Sequence, residues 1–254
     1  MKKRMIFGNW KMNLLAEDVA DLLTELSEYL VPENVIAGIC PSYLWIPLAI
    51  ERLKGKPWLI AAQDVHSEAK GAFTGDISAP MLHSMGCCYS LVGHSERRQH
   101  HRETDEFLAS KVQALLQEGM TPILCVGETL TERQNGQAEQ VVRRQIQTVC
   151  SRLNIQSPAF PIAYEPVWAI GTGVNCDTET ANAMMKKIRG ELVRFFGESK
   201  AEQTHLLYGG SVKASNIEGY LQTTEIDGAL VGGASLQAKE FKAILEIAGG
   251  NIDV

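Results

Sequence analysis

The stretch MIFGNWKMNLLAEDVADLLTELSEYLVPENVIAGIC, residues 5–40, decides the fold. It opens on an apolar run, Met5-Ile6-Phe7, that carries through to Trp10. A helical stripe follows, with Val19, Leu22, Leu26 and Leu30 spaced by three and four and the acidic pair Glu17-Asp18 at its start, where the helix dipole favours negative charge. A second apolar run, residues 35–40, closes the unit. Neither run alternates between apolar and polar positions. Each therefore reads as a strand buried on both faces, as in a parallel sheet. Strand, helix and strand in that order make a right-handed crossover.

The same cadence repeats outward from this unit. Strands are predicted at 5–10, 35–40, 58–63, 87–92, 121–126, 160–165, 205–208 and 228–231. Leu108, Val112 and Leu115 form another helical stripe, preceded by Thr104-Asp105-Glu106 and stopped by Gly119. Ala181, Met184, Ile188, Leu192 and Phe195 form a third, with Asp177 as its N-cap and Gly197 as its stop. The composition does not break anywhere, and there is no linker, low-complexity segment or heptad repeat. The expectation is an α/β protein with one domain over residues 1–254, its eight units closed into a (β/α)8 barrel. An open doubly wound sheet is the competing arrangement. Against it, no G-x-G-x-x-G follows the first strand, and no Walker loop occurs.

Composition removes several function classes. Of 254 residues, 45% are hydrophobic and 21% charged, an ordinary mix for a globular domain. A net charge of -6 argues against nucleic acid or an anionic membrane as the main partner. No run approaches the roughly 20 apolar residues of a membrane span. The basic start, Met1-Lys2-Lys3-Arg4, precedes too short an apolar run for a signal peptide, so a cytoplasmic protein is expected. Cys40, Cys87, Cys88, Cys125, Cys150 and Cys176 form no CxxC pair and no metal-ligand spacing. They read mostly as small buried thiols, and neither a metal nor a cofactor is expected.

In such a barrel the chemistry sits where the strands end. The first strand ends in Gly8-Asn9-Trp10-Lys11, the fourth in Gly93-His94-Ser95-Glu96-Arg97-Arg98 and the sixth in Ala163-Tyr164-Glu165-Pro166. The seventh ends in Tyr208-Gly209-Gly210-Ser211 and the eighth in Leu230-Val231-Gly232-Gly233. A cation, an imidazole, a carboxylate and glycine-rich turns would converge on one rim. Pro166 biases Glu165 toward extended backbone and so aims it into the mouth.

These segments, with Met12-Asn13 after the first and Val167-Trp168-Ala169-Ile170-Gly171-Thr172-Gly173 after the sixth, resemble the signatures of the triosephosphate isomerase family. The resemblance runs from the first strand to the last helix. It implies interconversion of dihydroxyacetone phosphate and D-glyceraldehyde 3-phosphate through an enediolate, with no cofactor and a small phosphorylated triose as substrate. Glu165 then corresponds to the base. His94 corresponds to the electrophile, at the start of a short helix whose positive end lowers the imidazole pKa and favours its neutral form. Lys11 and Asn9 would stabilise developing charge, while Ser211, Gly232, Gly233 and, from a lid over 166–176, Gly171 would hold the phosphate. The long connection at 68–77 resembles the loop that enters a neighbouring subunit, which implies a homodimer. Asp64, Asp76 and Val174 depart from the family's usual Asn, Glu and Lys. His66, His83, His100, His101 and His205 read as surface or satisfied core residues. Two other functions stay open at this point: a Schiff-base sugar-phosphate aldolase with Lys11 as nucleophile, and a non-catalytic phosphate-binding barrel.

Overall fold

The eight apolar runs fold into eight parallel strands: β1 Arg4–Asn9, β2 Val35–Cys40, β3 Trp58–Ala62, β4 Tyr89–Val92, β5 Thr121–Val126, β6 Ile162–Tyr164, β7 Leu206–Tyr208 and β8 Gly228–Val231. This computed structural model describes residues 2–154, 156–170 and 176–250. Each strand pairs with the next, and β8 returns to β1 through pairs such as Phe7↔Leu230, so the sheet closes into a barrel with its helices outside. The open doubly wound sheet is thereby excluded.

Two apolar layers explain why the strands do not alternate. Met5, Phe7, Cys40, Leu91, Ile123, Cys125, Ala163, Leu207 and Leu230 pack together inside the barrel. Their strand neighbours, such as Ile6, Leu124, Tyr164 and Tyr208, pack outward under the helices. The period of two then fixes which rim residues look inward. Asn9 continues the Met5 and Phe7 series, and Glu165 continues that of Ala163.

The helices start and stop where local chemistry favours it. Asp177 Oδ1 accepts the Thr180 N–H at 2.7 Å and so caps as expected, and Thr104 Oγ1 caps the helix after it by accepting the Phe107 N–H at 3.3 Å. Gly119 and Gly197 terminate with φ of +72° and +80°. The first helix, Ala16–Ser27, is shorter than its stripe predicts. Leu30 lies beyond it and is exposed, because Pro32 and the return to β2 follow at once. β4 and β6 are also shorter than predicted. Residues 87 and 88 lead into β4 without pairing as strand, and 160 and 161 do the same for β6.

Five of the six cysteines are buried, Cys88 is exposed and all are free. Among the described residues no helix is long and apolar enough to cross a membrane. Asp64 lies in a buried ionic cluster. Lys111, only 2% exposed, places Nζ 2.7 Å from Asp64 Oδ1 and 2.7 Å from Glu103 Oε1, and Arg97 Nε reaches both carboxylates. The 68–77 connection closes on itself through His66, whose ring packs tilted against Phe73 with centroids 4.2 Å apart and lies 3.5 Å from Asp76 Oδ2.

Candidate active site

At the mouth of the barrel β1, β4, β6, β7 and β8 deliver their terminal residues to one cavity of about 500 Å³. Asn9, Lys11, His94, Glu165, Ile170, Ser211, Leu230, Gly232 and Gly233 all line it. The structure thus brings together every described residue that the rim argument singles out. Gly171 and the stretch 171–175 of the expected lid, Val174 included, lie outside the described residues.

Lys11 leaves β1 in a left-handed conformation, φ +53°, which a side chain with Cβ adopts at a cost of roughly 1–2 kcal/mol. Neighbours hold it there. Asn9 Oδ1 accepts the Lys11 N–H at 3.0 Å, and the Gln63 amide donates to the carbonyls of Lys11 and Cys40 at 2.8 Å each. The Lys11 Nζ meets Glu96 Oε1 at 2.6 Å.

β4 turns at Gly93, φ +74°, a conformation that glycine adopts without strain. His94 then caps a one-turn helix, Ser95–His100, and its Nδ1 accepts the Glu96 N–H at 3.3 Å. With Nδ1 accepting, Nε2 carries the hydrogen of the neutral ring. That Nε2 lies 2.9 Å from Glu165 Oε1, and the Ser95 N–H donates to Glu165 Oε2 at 2.8 Å. Both oxygens of the carboxylate are therefore engaged. Glu165 is buried, and its own N–H still donates to Val126 of β5 at 2.7 Å, so the ladder runs one bond past β6.

Gly209 makes room for this side chain. A Cβ there would lie 2.9 Å from Glu165 Cγ and 3.1 Å from the Tyr164 carbonyl oxygen.

The electrostatics of the pair differ from the simple expectation. Burial works against the Glu165 charge, but the His94 ring, the Ser95 N–H and the Lys11 charge outweigh it and hold the carboxyl below its ordinary pKa. For His94, burial also works against charge, yet the Glu165 carboxylate and then Glu96 outweigh it, so its pKa is raised rather than lowered. The expected lowering fails in this arrangement because the carboxylate sits directly against the ring.

Sequence reasoning gave no role to several residues that shape the mouth. The Ser95 donor is a backbone group and has no side-chain signature. Glu96 and Gly209 stood inside the quoted segments without an assigned function. Glu240 was not singled out at all. It lines the cavity, and its Oε1 accepts the Ala214 N–H at 2.8 Å, occupying the start of helix Ala214–Leu221.

A family profile described as Triosephosphate isomerase matches residues 4–248. The chain is similar to the triosephosphate isomerase of Delftia acidovorans, 46% identical over 250 residues that cover 98% of this chain and 100% of that protein. It is 44% identical to the Thermus thermophilus enzyme of the same name, over 98% of this chain and all of the other. With the one from Clostridium beijerinckii it shares 41% identity over 96% of this chain and 99% of that protein.

Proposed function

The chain belongs to the triosephosphate isomerase family, and from that premise we propose how the residues at its mouth divide the chemistry. It is an aldose-ketose isomerase that interconverts dihydroxyacetone phosphate and D-glyceraldehyde 3-phosphate by proton transfer through an enediolate.

Glu165 takes the proton from the carbon beside the carbonyl and returns it to the neighbouring carbon. A carboxylate suits this task because its two oxygens span both positions. The observation that carries the assignment is its placement: a buried carboxylate, 2.9 Å from His94 Nε2, on the wall of the cavity that also holds Lys11. His94 donates its Nε2–H to the substrate oxygen. When Glu165 turns from His94 to substrate, the larger of the two carboxylate influences that raise the imidazole pKa is lost. Burial and the helix start then both favour the neutral ring. Lys11 offsets charge growing on the enediolate oxygens, and Asn9, whose Oδ1 is occupied by the Lys11 N–H, offers its amide N–H. Ser211, Gly232 and Gly233 bind the phosphate through backbone donors after β7 and β8, with Gly171 closing from the lid at 166–176. Closure excludes water from the enediolate.

The Glu165→Asp variant tests the base. Its oxygens withdraw by about 1 Å, which costs on the order of 100-fold in kcat with the fold intact. A variant with parental kcat removes Glu165 from this role.

Nothing favours the aldolase. A Schiff-base lysine needs a depressed pKa in an apolar pocket, and Lys11 Nζ is paired with a carboxylate at 2.6 Å. Borohydride with the sugar phosphate is expected to label nothing.

We also infer a homodimer working in the cytoplasm, with the whole chain acting as one domain. Met12, Leu15, Leu44, Phe73, Met81 and Met85 are exposed, and all lie in the connections between β1 and β4, adjacent around the barrel. Exposed apolar side chains in neighbouring connections favour a second copy over water. Sedimentation at micromolar concentration tests it, and a stable monomer overturns it.

A further inference from the structure

One glutamine stands on an otherwise apolar helix face behind the wall that carries the base. The helix Ala138–Cys150 buries Val141, Val142, Ile146, Val149 and Cys150, and Gln145 with them at 4% exposure. The Gln145 amide is spent on a single residue of another segment. Its Oε1 accepts the Gly127 N–H at 2.8 Å, and its Nε2 donates to the Gly127 carbonyl at 3.0 Å. With one acceptor and one donor turned to the same residue, the side chain stands in for the edge of a neighbouring strand.

The barrel ladder explains why a substitute is needed. β5 alternates its peptide groups between its two neighbours. Toward β6, the Leu124 N–H donates to the Pro161 carbonyl, and the carbonyls of Val126 and Glu128 accept the N–H groups of Glu165 and Val167 at 2.7 and 3.1 Å. Cys125 and Gly127 therefore turn the other way, toward β4. But β4 pairs with β5 only as far as Val92↔Leu124 and turns away at Gly93. Side chains meet the groups left facing that gap. Arg98 donates to the Cys125 carbonyl at 3.1 Å, and Gln145 takes both polar groups of Gly127. Left buried without partners, those groups would be costly.

Gly127 also touches the base. A Cβ on Gly127 would stand 1.7 Å from the Glu165 carbonyl oxygen, so its Cα lies directly against that carbonyl. The Glu165 main chain is thus held on one side by Val126, which takes its N–H, and on the other by the residue that Gln145 fixes. We propose that Gln145 is a positioning residue for Glu165: by pinning both polar groups of Gly127, it fixes the backbone from which the carboxylate reaches His94 and the Ser95 N–H. The proposal rests on the reading of Glu165 as the base. Gln145 does not line the cavity at the mouth and touches no substrate in this role.

Gln145→Met keeps the length of the side chain and removes both hydrogen bonds. If the Glu165 backbone relaxes by about 0.5 Å, half of the 1 Å that costs about 100-fold, kcat falls roughly tenfold. KM and the affinity for inorganic phosphate stay within about twofold, because the turns after β7 and β8 are untouched. Gln145→Glu keeps an acceptor for the Gly127 N–H and loses the amide donor, so its kcat falls by a smaller factor. The imidazole titration of His94, followed by NMR in the free protein, supplies a signature that a merely structural glutamine would not give. Against the effect of burial, the Glu165 carboxylate is the largest influence raising the His94 pKa, so a carboxylate that drifts from Nε2 in Gln145→Met lets that pKa fall. A structural glutamine would lower the melting temperature and leave kcat and the His94 titration at parental values. Parental kcat in folded Gln145→Met and Gln145→Glu overturns the proposal, and so does a lowered kcat in Gln145→Met with an unchanged His94 titration. Glu165→Asp separates the two readings. If it lowers kcat while the Gln145 variants do not, only the role of Gln145 fails. If Glu165→Asp keeps parental kcat, the reading of the base fails and this proposal with it.

Discussion

Gly209→Ala is a one-carbon probe of how tightly the base is held. The new Cβ falls 2.9 Å from Glu165 Cγ, about 0.5 Å inside the 3.4 Å at which ordinary contact begins. Gly209 cannot retreat easily. Its N–H donates to the Tyr164 carbonyl at 2.8 Å, and Tyr164 pairs with Tyr208 in the barrel ladder. Backbone strain is not the cause of any effect, because Gly209 is not among the residues with positive φ. The Glu165 side chain must therefore yield, and it can do so only by leaving the His94 Nε2 at 2.9 Å or the Ser95 N–H at 2.8 Å. If a 1 Å misplacement costs about 100-fold, half of that costs roughly tenfold in kcat. Overpacking of this kind destabilises by about 1–3 kcal/mol, and about 2–4 °C is lost per kcal/mol in a chain of this size. The assay is kcat by coupled isomerisation alongside thermal unfolding by circular dichroism. A variant that melts like the parent and keeps kcat within twofold would refute the crowding of Glu165 by this position.

Other perturbations follow from the same contacts. His94→Gln is expected to lower kcat by about 100–1,000-fold with little change in KM, as for loss of one oxyanion donor, and an effect confined to KM would make His94 a binding residue only. The Glu165–His94 pair also sets a pH window for stability. The Glu165 pKa is lowered on folding, so its contribution is present above the ordinary carboxylate value and disappears as pH falls through the folded one. The His94 pKa is raised, so its contribution is full below the ordinary imidazole value and disappears as pH rises through the folded one. The difference in melting temperature between parent and His94→Gln should peak at about pH 5–6, and a difference that keeps growing above pH 7 would contradict the pairing. Lys111→Met leaves the buried Asp64 and Glu103 with Arg97 as their shared cation and should cost about 3–5 kcal/mol in denaturant unfolding, with less than 1 kcal/mol of loss ruling out the Lys111 contacts as a structural tie. Disrupting Thr74-Gly75-Asp76 should give poorly active monomers on sedimentation, and an active dimer would detach that loop from assembly.

The barrel was legible because strand and helix signals are local. Two-sided burial, the caps at Thr104 and Asp177 and the stops at Gly119 and Gly197 each act within a few residues, so a linear reading finds them. Strand ends were less legible, since a ladder stops where the partner strand turns away, and that partner lies elsewhere in the chain. Asn9, Lys11, His94 and Glu165 could be picked out because each stands at a strand end, and the period of two explains why Asn9 and Glu165 face the mouth. Their internal state could not. The left-handed Lys11 depends on Gln63 across the rim, and the Glu165 pKa depends on a ring and a backbone N–H in the β4 connection.

The arrangement at the mouth has a consequence for how the catalyst is switched on. Glu165 and His94 satisfy each other, and Lys11 and Glu96 do the same. A carboxylate with a lowered pKa is a weak base, and an imidazole whose hydrogen points at that carboxylate offers nothing to a carbonyl. On the proposed reading substrate must break the first pair, and phosphate held after β7 and β8 would supply free energy for doing so. Ile170 and Leu230 line the same cavity as Glu165, and on the proposed reading they would become its surroundings once the His94 contact is gone. Apolar neighbours raise a carboxylate pKa where the ring had lowered it, so one displacement both frees the electrophile and strengthens the base. This ties catalytic power to occupancy of the phosphate subsite. A triose lacking its phosphate would meet the same four side chains, with Glu165 still held against His94, and the deficit should appear in kcat as well as in KM.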